Sequence, residues 1–121
     1  MSPKRIRPIK IKRAYEAPER SDGARVLVDR LWPRGVSKTA ARIDLWLKDI
    51  APSDALRKWF GHEPSKWNEF RKRYFRELGK RPEAMAQLKE HSLKGVTTLV
   101  YGAKDEQHNN AVALKEYLES M

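Results

Sequence analysis

Cysteine is absent from the 121 residues, which excludes disulfides, thiolate catalysis and cysteine-based zinc sites. Histidine is scarce, at three residues, and none falls in an HxH or HExxH arrangement. A metal centre built from His62, His108 and a carboxylate therefore lacks its usual spacing, and no metal is expected. The six glycines form neither a GxGxxG run nor a Walker loop, so no nucleotide cofactor is expected either. No GxSxG elbow or Ser-His-Asp order is present. No apolar run approaches the roughly 18 residues of a membrane-spanning helix. The basic start, Met1 to Arg13, has no apolar segment behind it and does not read as a secretory signal. The expectation is a cytoplasmic protein without a membrane partner. Acidic residues are the minority, 16 Asp and Glu against 26 Lys and Arg, for a formal net charge of +10. Such a balance favours anionic partners and says nothing of fold.

What is present belongs to a folded domain. Hydrophobic residues make up 40% of the chain and charged ones 35%, with four Trp, four Tyr and three Phe, so a core can form beneath a heavily charged skin. The length suits a single domain over residues 1–121, with residues 1–8 read as a flexible basic extension.

The patterning divides the chain into short elements. Ile9 and Ile11 alternate with Lys10 and Lys12, a strand with one wet face. Val26 to Val28 is continuously apolar, which suits a strand buried on both sides. Ser37 caps a short helix through Ala41. Leu45 to Leu47 is either a third strand or the end of that helix. Ser53 caps a helix that runs to Phe60 and stops at Gly61. Trp67, Phe70, Tyr74 and Leu78 recur at helical spacing up to Gly79. Pro82 opens another helix, ended by Gly95. Val96 to Tyr101 is the clearest strand, and Asp105 can cap a last helix that buries Ala111, Leu114 and Leu118. Early strands, a helical middle and a strand–helix ending define a compact α/β domain, a small, mostly parallel sheet flanked by helices.

In open sheets of this kind, ligands collect beyond the carboxyl ends of the strands. Two polar runs lie there. Asp29 to Gly35 supplies Arg30, Trp32, Arg34 and Gly35: two planar guanidinium forks suited to phosphate or carboxylate, an indole turned aside by the following proline, and a glycine that permits a tight turn and close approach to a ligand. The bland alternative has the arginines bridging Asp29 and Asp49 or capping carbonyls, with Trp32 in the core. The second run, Gly102 to Asn109, carries Lys104, Asp105, His108 and Asn109. With Asp105 as cap, the last helix would offer its positive end to an anion. His108 would act as acid or base, oriented by Asp105. His62, in a Gly/Pro-bounded loop, is a second acid–base candidate, or it bonds only a backbone carbonyl. Lys48 adds charge. Asp29, Asp49 and Asp105 each have a basic neighbour and read as ordinary ionised salt bridges.

Between Lys66 and Arg81, cations surround a helix with an aromatic inner face. That pattern is either a solvated outer face or, with the basic N-terminus (Lys4, Arg5, Arg7, Lys10, Lys12, Arg13), a surface that tracks phosphates. Trp59, Trp67, Tyr74 and Phe75 read as core rather than as base-stacking platforms. No base-reading motif is present.

Four stretches resemble the family known as domain of unknown function 488: Ser21 to Gly35, Leu45 to Ser53, Leu56 to Pro64 and Leu99 to Val112. The resemblance covers nearly the whole chain from about Ile9, and the first residues and Gly102 are local variations. It implies a compact α/β domain and leaves the biochemical role open. Two functions follow from the residues. One is an anion-binding site at strand ends for a phosphate- or carboxylate-bearing small ligand, with or without catalysis. The other is a sequence-nonspecific nucleic-acid-binding module.

Overall fold

The computed structural model of the chain describes residues 8–121; the proposed extension over residues 1–8 lies almost wholly outside them. Four strands, β1 (Ile9–Arg13), β2 (Ala24–Leu27), β3 (Leu45–Trp46) and β4 (Thr97–Tyr101), form one sheet in the order β1-β4-β2-β3. Every pairing is parallel: Val26 lies beside Leu99 on one side and Leu45 on the other, and Ile9 beside Thr97. The central position of β2 explains its unbroken apolar run, because Val26, Leu27 and Val28 are all fully buried. Of Leu45 to Leu47, Leu45–Trp46 resolves as strand and Leu47 leads into a 3-10 turn over Lys48–Ile50. Local propensity does not separate strand from helix there; the free edge of β2 does, and the pairing continues as Leu47 N–H donates to Leu27 O at 2.9 Å.

Parallel strands need crossovers, and α-helices provide them except between β1 and β2, where only a 3-10 turn lies. The described helices are α1 (Lys38–Ala41), α2 (Asp54–Phe60), α3 (Trp67–Gly79), α4 (Pro82–Lys94) and α5 (Asn110–Glu119). Ser37 and Ser53 cap α1 and α2 by accepting from Ala40 and Leu56 N–H, and Gly61 ends α2 in the left-handed region. One face of the sheet (Ile9, Val26, Val28, Leu99, Tyr101) packs on Phe60, Phe70, Tyr74, Leu88 and Leu114. The other face (Ala14, Leu27, Val100) is covered by Trp32, Val36, Ile43 and Trp46.

Two expectations need correction. The alternating side of β1 is not simply wet. A 3-10 turn, Arg20–Asp22, folds over it, so Lys12 is largely covered and donates to Glu19 at 2.7 Å and Asp22 at 3.0 Å. Asp22 in turn holds the buried Arg25 at 2.6 Å. The second correction concerns the last helix, which starts at Asn110 and is capped by Asn109, whose Oδ1 accepts from Val112 N–H at 3.0 Å. Asp105 instead closes its own turn by accepting from Gln107 and His108 N–H. His108 and Asn109 therefore precede the helix rather than lie in its first turn. Asp and Asn cap equally well in isolation; burial of Ala111 and Leu114 decides between them. Asn109→Ala is expected to lower stability by about 1–2 kcal/mol in urea unfolding, since Nδ2 also holds Asp105 O at 2.9 Å. Asp105→Ala should cost less.

Candidate functional site

The chain leaves β2 and β4 in opposite directions. After β2 it passes through Asp29 to Gly35 toward α1 and the Trp32–Trp46 side. After β4 it passes through Gly102 to Asn109 toward α5, on the other face. A crevice opens where they part, as expected at a switch point of a parallel sheet. Its volume is about 270 Å3, and α2 with its following turn closes the far wall. Phe60, Phe70, Pro52 and Leu31 make an apolar lining, Asp29, Arg30 and Arg57 bring charge to it, and His62 and His108 add polar rings.

Asp29 sits on the inner wall. Its Oδ2 accepts from Gly102 N–H at 2.8 Å and its Oδ1 from Asn110 Nδ2 at 3.0 Å, and no described residue forms a salt bridge with it. Burial pushes its carboxyl above the ordinary carboxylate range; Asn110, the Gly102 N–H and the nearby Arg57 charge offset only part of this. The reading of Asp29 as an ordinary salt bridge is thus corrected. Its neighbour Arg30 turns away, and burial without an ion-pair partner raises rather than lowers a carboxylate pKa. The approach depends on Gly102, where a Cβ would lie 3.2 Å from Asp29 Oδ2.

Two arginines line the same crevice. Arg57 Nη2 meets Asp54 Oδ1 at 3.1 Å, and Arg30 Nε lies 3.9 Å from the same oxygen. That separation is too long for a hydrogen bond, and Arg30 Nε is buried with no hydrogen-bond partner. His108 Nδ1 lies 2.9 Å from Asp105 Oδ2, and its ring meets the edge of Trp67 at 5.3 Å. Backbone N–H donation from Gln107, followed by the His108 side chain, holds the Asp105 carboxyl below its usual range. An ionised Asp105 keeps the proton on Nδ1 and leaves Nε2 as the ring's second polar atom. His62 is exposed on the turn after α2 at φ +58, directly behind Gly61 at φ +55. A non-glycine residue in that region carries local strain, which is concentrated at ligand-binding positions.

The crevice therefore gathers Arg30, His62, His108 and Asn109 from the residues singled out by sequence. Asn109 is spent on its cap. Trp32, Arg34, Gly35, Lys48 and Lys104 are elsewhere. Trp32 packs edge-on against Trp46 at 5.4 Å and donates to Val36 O. Gly35 serves its turn at φ +79, with open space around it. Lys48 lies over the Trp46 ring at 4.0 Å. Arg34 and Lys104 are exposed, on segments that Tyr15 and Arg13 tether through the Arg34 and Ala103 carbonyls. The Arg30–Arg34 clamp does not form, because the turn at Gly35 sends Arg34 outward. Nor do the arginines bridge Asp29 and Asp49. Asp29 and Arg57 are the residues that patterning alone missed. Arg57 is one cation among many on a short helix, and only the packing of α2 brings it to the strand ends. Among the described residues, no group of three or more His, Asp or Glu is placed to hold a metal ion, and no helix is long and apolar enough to cross a membrane.

Fold and crevice define the class: a small parallel α/β domain with a charged pocket at its strand ends. The chain belongs to the domain of unknown function 488 family, in which residues 8–121 match the group described as the inactive DUF488-N3 subclade. It is 42% identical over 113 residues to the uncharacterized protein YeaO of Escherichia coli K12, covering 93% of this chain and 98% of that one. It is 38% identical over 110 residues to the uncharacterized proteins Mb3100c of Mycobacterium bovis and Rv3073c of Mycobacterium tuberculosis H37Rv, covering 91% of this chain and 92% of each. No solved structure matches it.

Proposed function

We propose that this domain binds a small ligand carrying a phosphate or carboxylate in the crevice between the β2 and β4 loops, and acts by binding rather than by catalysis. One observation carries the reading. Arg30 and Arg57 both line the crevice and share a single exposed carboxylate, Asp54. Two guanidinium forks that line the crevice and share one carboxylate keep further N–H donors for an anionic ligand. The two histidines add polar contacts to the ligand, with Asp105 orienting His108. The description of the family's subclade as inactive supports binding without turnover.

The test is a thermal-shift and calorimetry panel of phosphate- and carboxylate-bearing compounds at low and moderate salt. Arg57→Ala and Arg30→Ala are each expected to weaken the best ligand by about 10–100-fold, the loss of one charge-assisted contact worth roughly 1.5–3 kcal/mol. Arg34→Ala should bind normally. Asp54→Asn should bind a few-fold tighter, because it removes the carboxylate that competes for both arginines. The reverse pattern, with Arg34 essential and Arg57 dispensable, would end the proposal.

A second reading has its own support. Lys72 and Arg76 on α3 and Lys80 just past its end recur every four residues, all exposed and none paired to an acid among the described residues. Such a stripe can follow a phosphate backbone. Its signature is oligonucleotide binding that falls steeply with salt and is indifferent to Arg57.

A further inference from the structure

The crevice is bipolar. Its outer side carries Arg30 and Arg57, held to α2 through Asp54. Its inner wall carries the Asp29 carboxylate, fixed between the end of β4 and the start of α5 by Gly102 and Asn110. A bare anion filling this space would meet attraction at one end and Asp29 at the other. A ligand that suits both ends presents an anion outward and hydrogen-bond donors inward.

We infer, building on the anion-binding reading, that the ligand is a sugar monophosphate: the phosphate lies between Arg30 and Arg57, and neighbouring hydroxyls bond Asp29 and Asn110. Four features support this class. Each Asp29 oxygen accepts one protein hydrogen bond, and a carboxylate oxygen has room for another, so Asp29 can receive a hydroxyl without losing its anchors. Asn110 spends Nδ2 on Val28 O and Asp29, which leaves its carbonyl oxygen beside Asp29 as a second acceptor. The same pairing of a strand-end acid with sugar hydroxyls recurs in parallel α/β folds. Two arginines line the crevice against one aspartate, and two guanidinium forks match the several oxygens of a phosphate better than the single carboxylate of a zwitterion. Finally, about 270 Å3 lies just below the pockets of roughly 300–1,000 Å3 that enclose drug-sized molecules. The Phe60 and Phe70 rings, stacked 4.4 Å apart, offer an apolar wall to the C–H face of a sugar.

The same ribose phosphate occurs free and within a nucleoside monophosphate, and the experiment separates them. Calorimetry at moderate salt would compare ribose 5-phosphate, 2-deoxyribose 5-phosphate, inorganic phosphate, adenosine monophosphate and glutamate on the full chain, with Asp29→Asn and Arg57→Ala. Ribose 5-phosphate is expected to bind about tenfold or more tighter than inorganic phosphate and several-fold tighter than the deoxy sugar, as follows from one or two hydroxyl contacts. In Asp29→Asn that preference should collapse while inorganic phosphate binds as well or better. Tighter binding of adenosine monophosphate than of ribose 5-phosphate assigns the nucleotide as source, and equal or weaker binding assigns the free sugar. If inorganic phosphate equals both sugars, the hydroxyl assignment falls and the anion site stands. If glutamate alone binds, the sugar class is overturned. If no anion binds at any salt, both readings fall together. The comparison of ribose with deoxyribose on the wild type decides the question even if Asp29→Asn fails to fold.

Discussion

Gly23→Ala is expected to cost roughly 2–6 kcal/mol, the sum of about 1–3 for a forbidden backbone conformation and 1–3 for a forced overlap. A small domain has only about 5–15 kcal/mol to lose, so much of the variant should be unfolded at 37 °C. Gly23 has φ +64 and ψ −137, a combination that residues with a Cβ avoid. An added Cβ would lie 2.1 Å from Val96 O, which already accepts from Ala24 N–H at 2.9 Å. Neither atom can move without opening the β2–β4 junction. Gly35→Ala is the control. Its φ is +79, yet nothing stands near the added methyl, so only the backbone cost of about 1 kcal/mol should appear in chemical denaturation. If both variants lose the same stability, the clash with Val96 is not what matters.

The second large effect is one residue away. Asp22→Ala is expected to destabilise the fold by about 3–5 kcal/mol, as breaking a buried ion pair does. Arg25 is 3% exposed and uses Nη1 for Asp22 and Nε for Ala41 O, while Nη2 has no partner. Without Asp22 the guanidinium keeps one bond in a buried site, and Lys12 keeps only Glu19 and Ala17 O. Combining Asp22→Ala with Arg25→Met should recover part of the loss, because the charge that needed a partner is gone. The effect also has a pH signature. Burial pushes the Asp22 carboxyl up, but donation from Glu19 N–H, Lys12 and Arg25 outweighs it, and the group is held below its ordinary value. The folded state therefore favours the ionised form. The contribution is complete above the unfolded pKa of about 3.9 and disappears as pH falls through the lower folded value. Urea titrations of wild type and Asp22→Asn should show their gap narrowing between neutral and strongly acid pH. A constant gap would show that the charge of Asp22 is not what stabilises the turn. Gly23 and Asp22 share this turn, so their effects should not add.

Local chemistry accounts for most of the elements. Ser37, Ser53, Gly61, Pro82 and Gly95 mark helix ends in the sequence and do so in the fold, because caps and breakers act within a turn of themselves. The apolar run at Val26 to Val28 announced a strand buried on both faces for a similarly direct reason. Where two local readings were equally good, packing chose. Leu45–Trp46 became a strand on meeting the edge of β2, and Asn109 displaced Asp105 as the cap of α5.

The candidate site was legible only in part. That ligand-suited groups would gather beyond β2 and β4 follows from the rule for parallel sheets, and Arg30, His62 and His108 do line the crevice there. Arg34 and Lys104 follow the same strands but point elsewhere, since side-chain direction in a loop depends on each turn. The sequence by itself determined a basic, cysteine-free α/β domain, its family and the loops on which a site would form, all of which rest on composition and short-range pattern. Only the tertiary structure decided that Asp29 would lose its salt bridge and that Arg57 would face it. Those outcomes depend on strand order and on the packing of α2, contacts between residues far apart in the chain that no local pattern encodes.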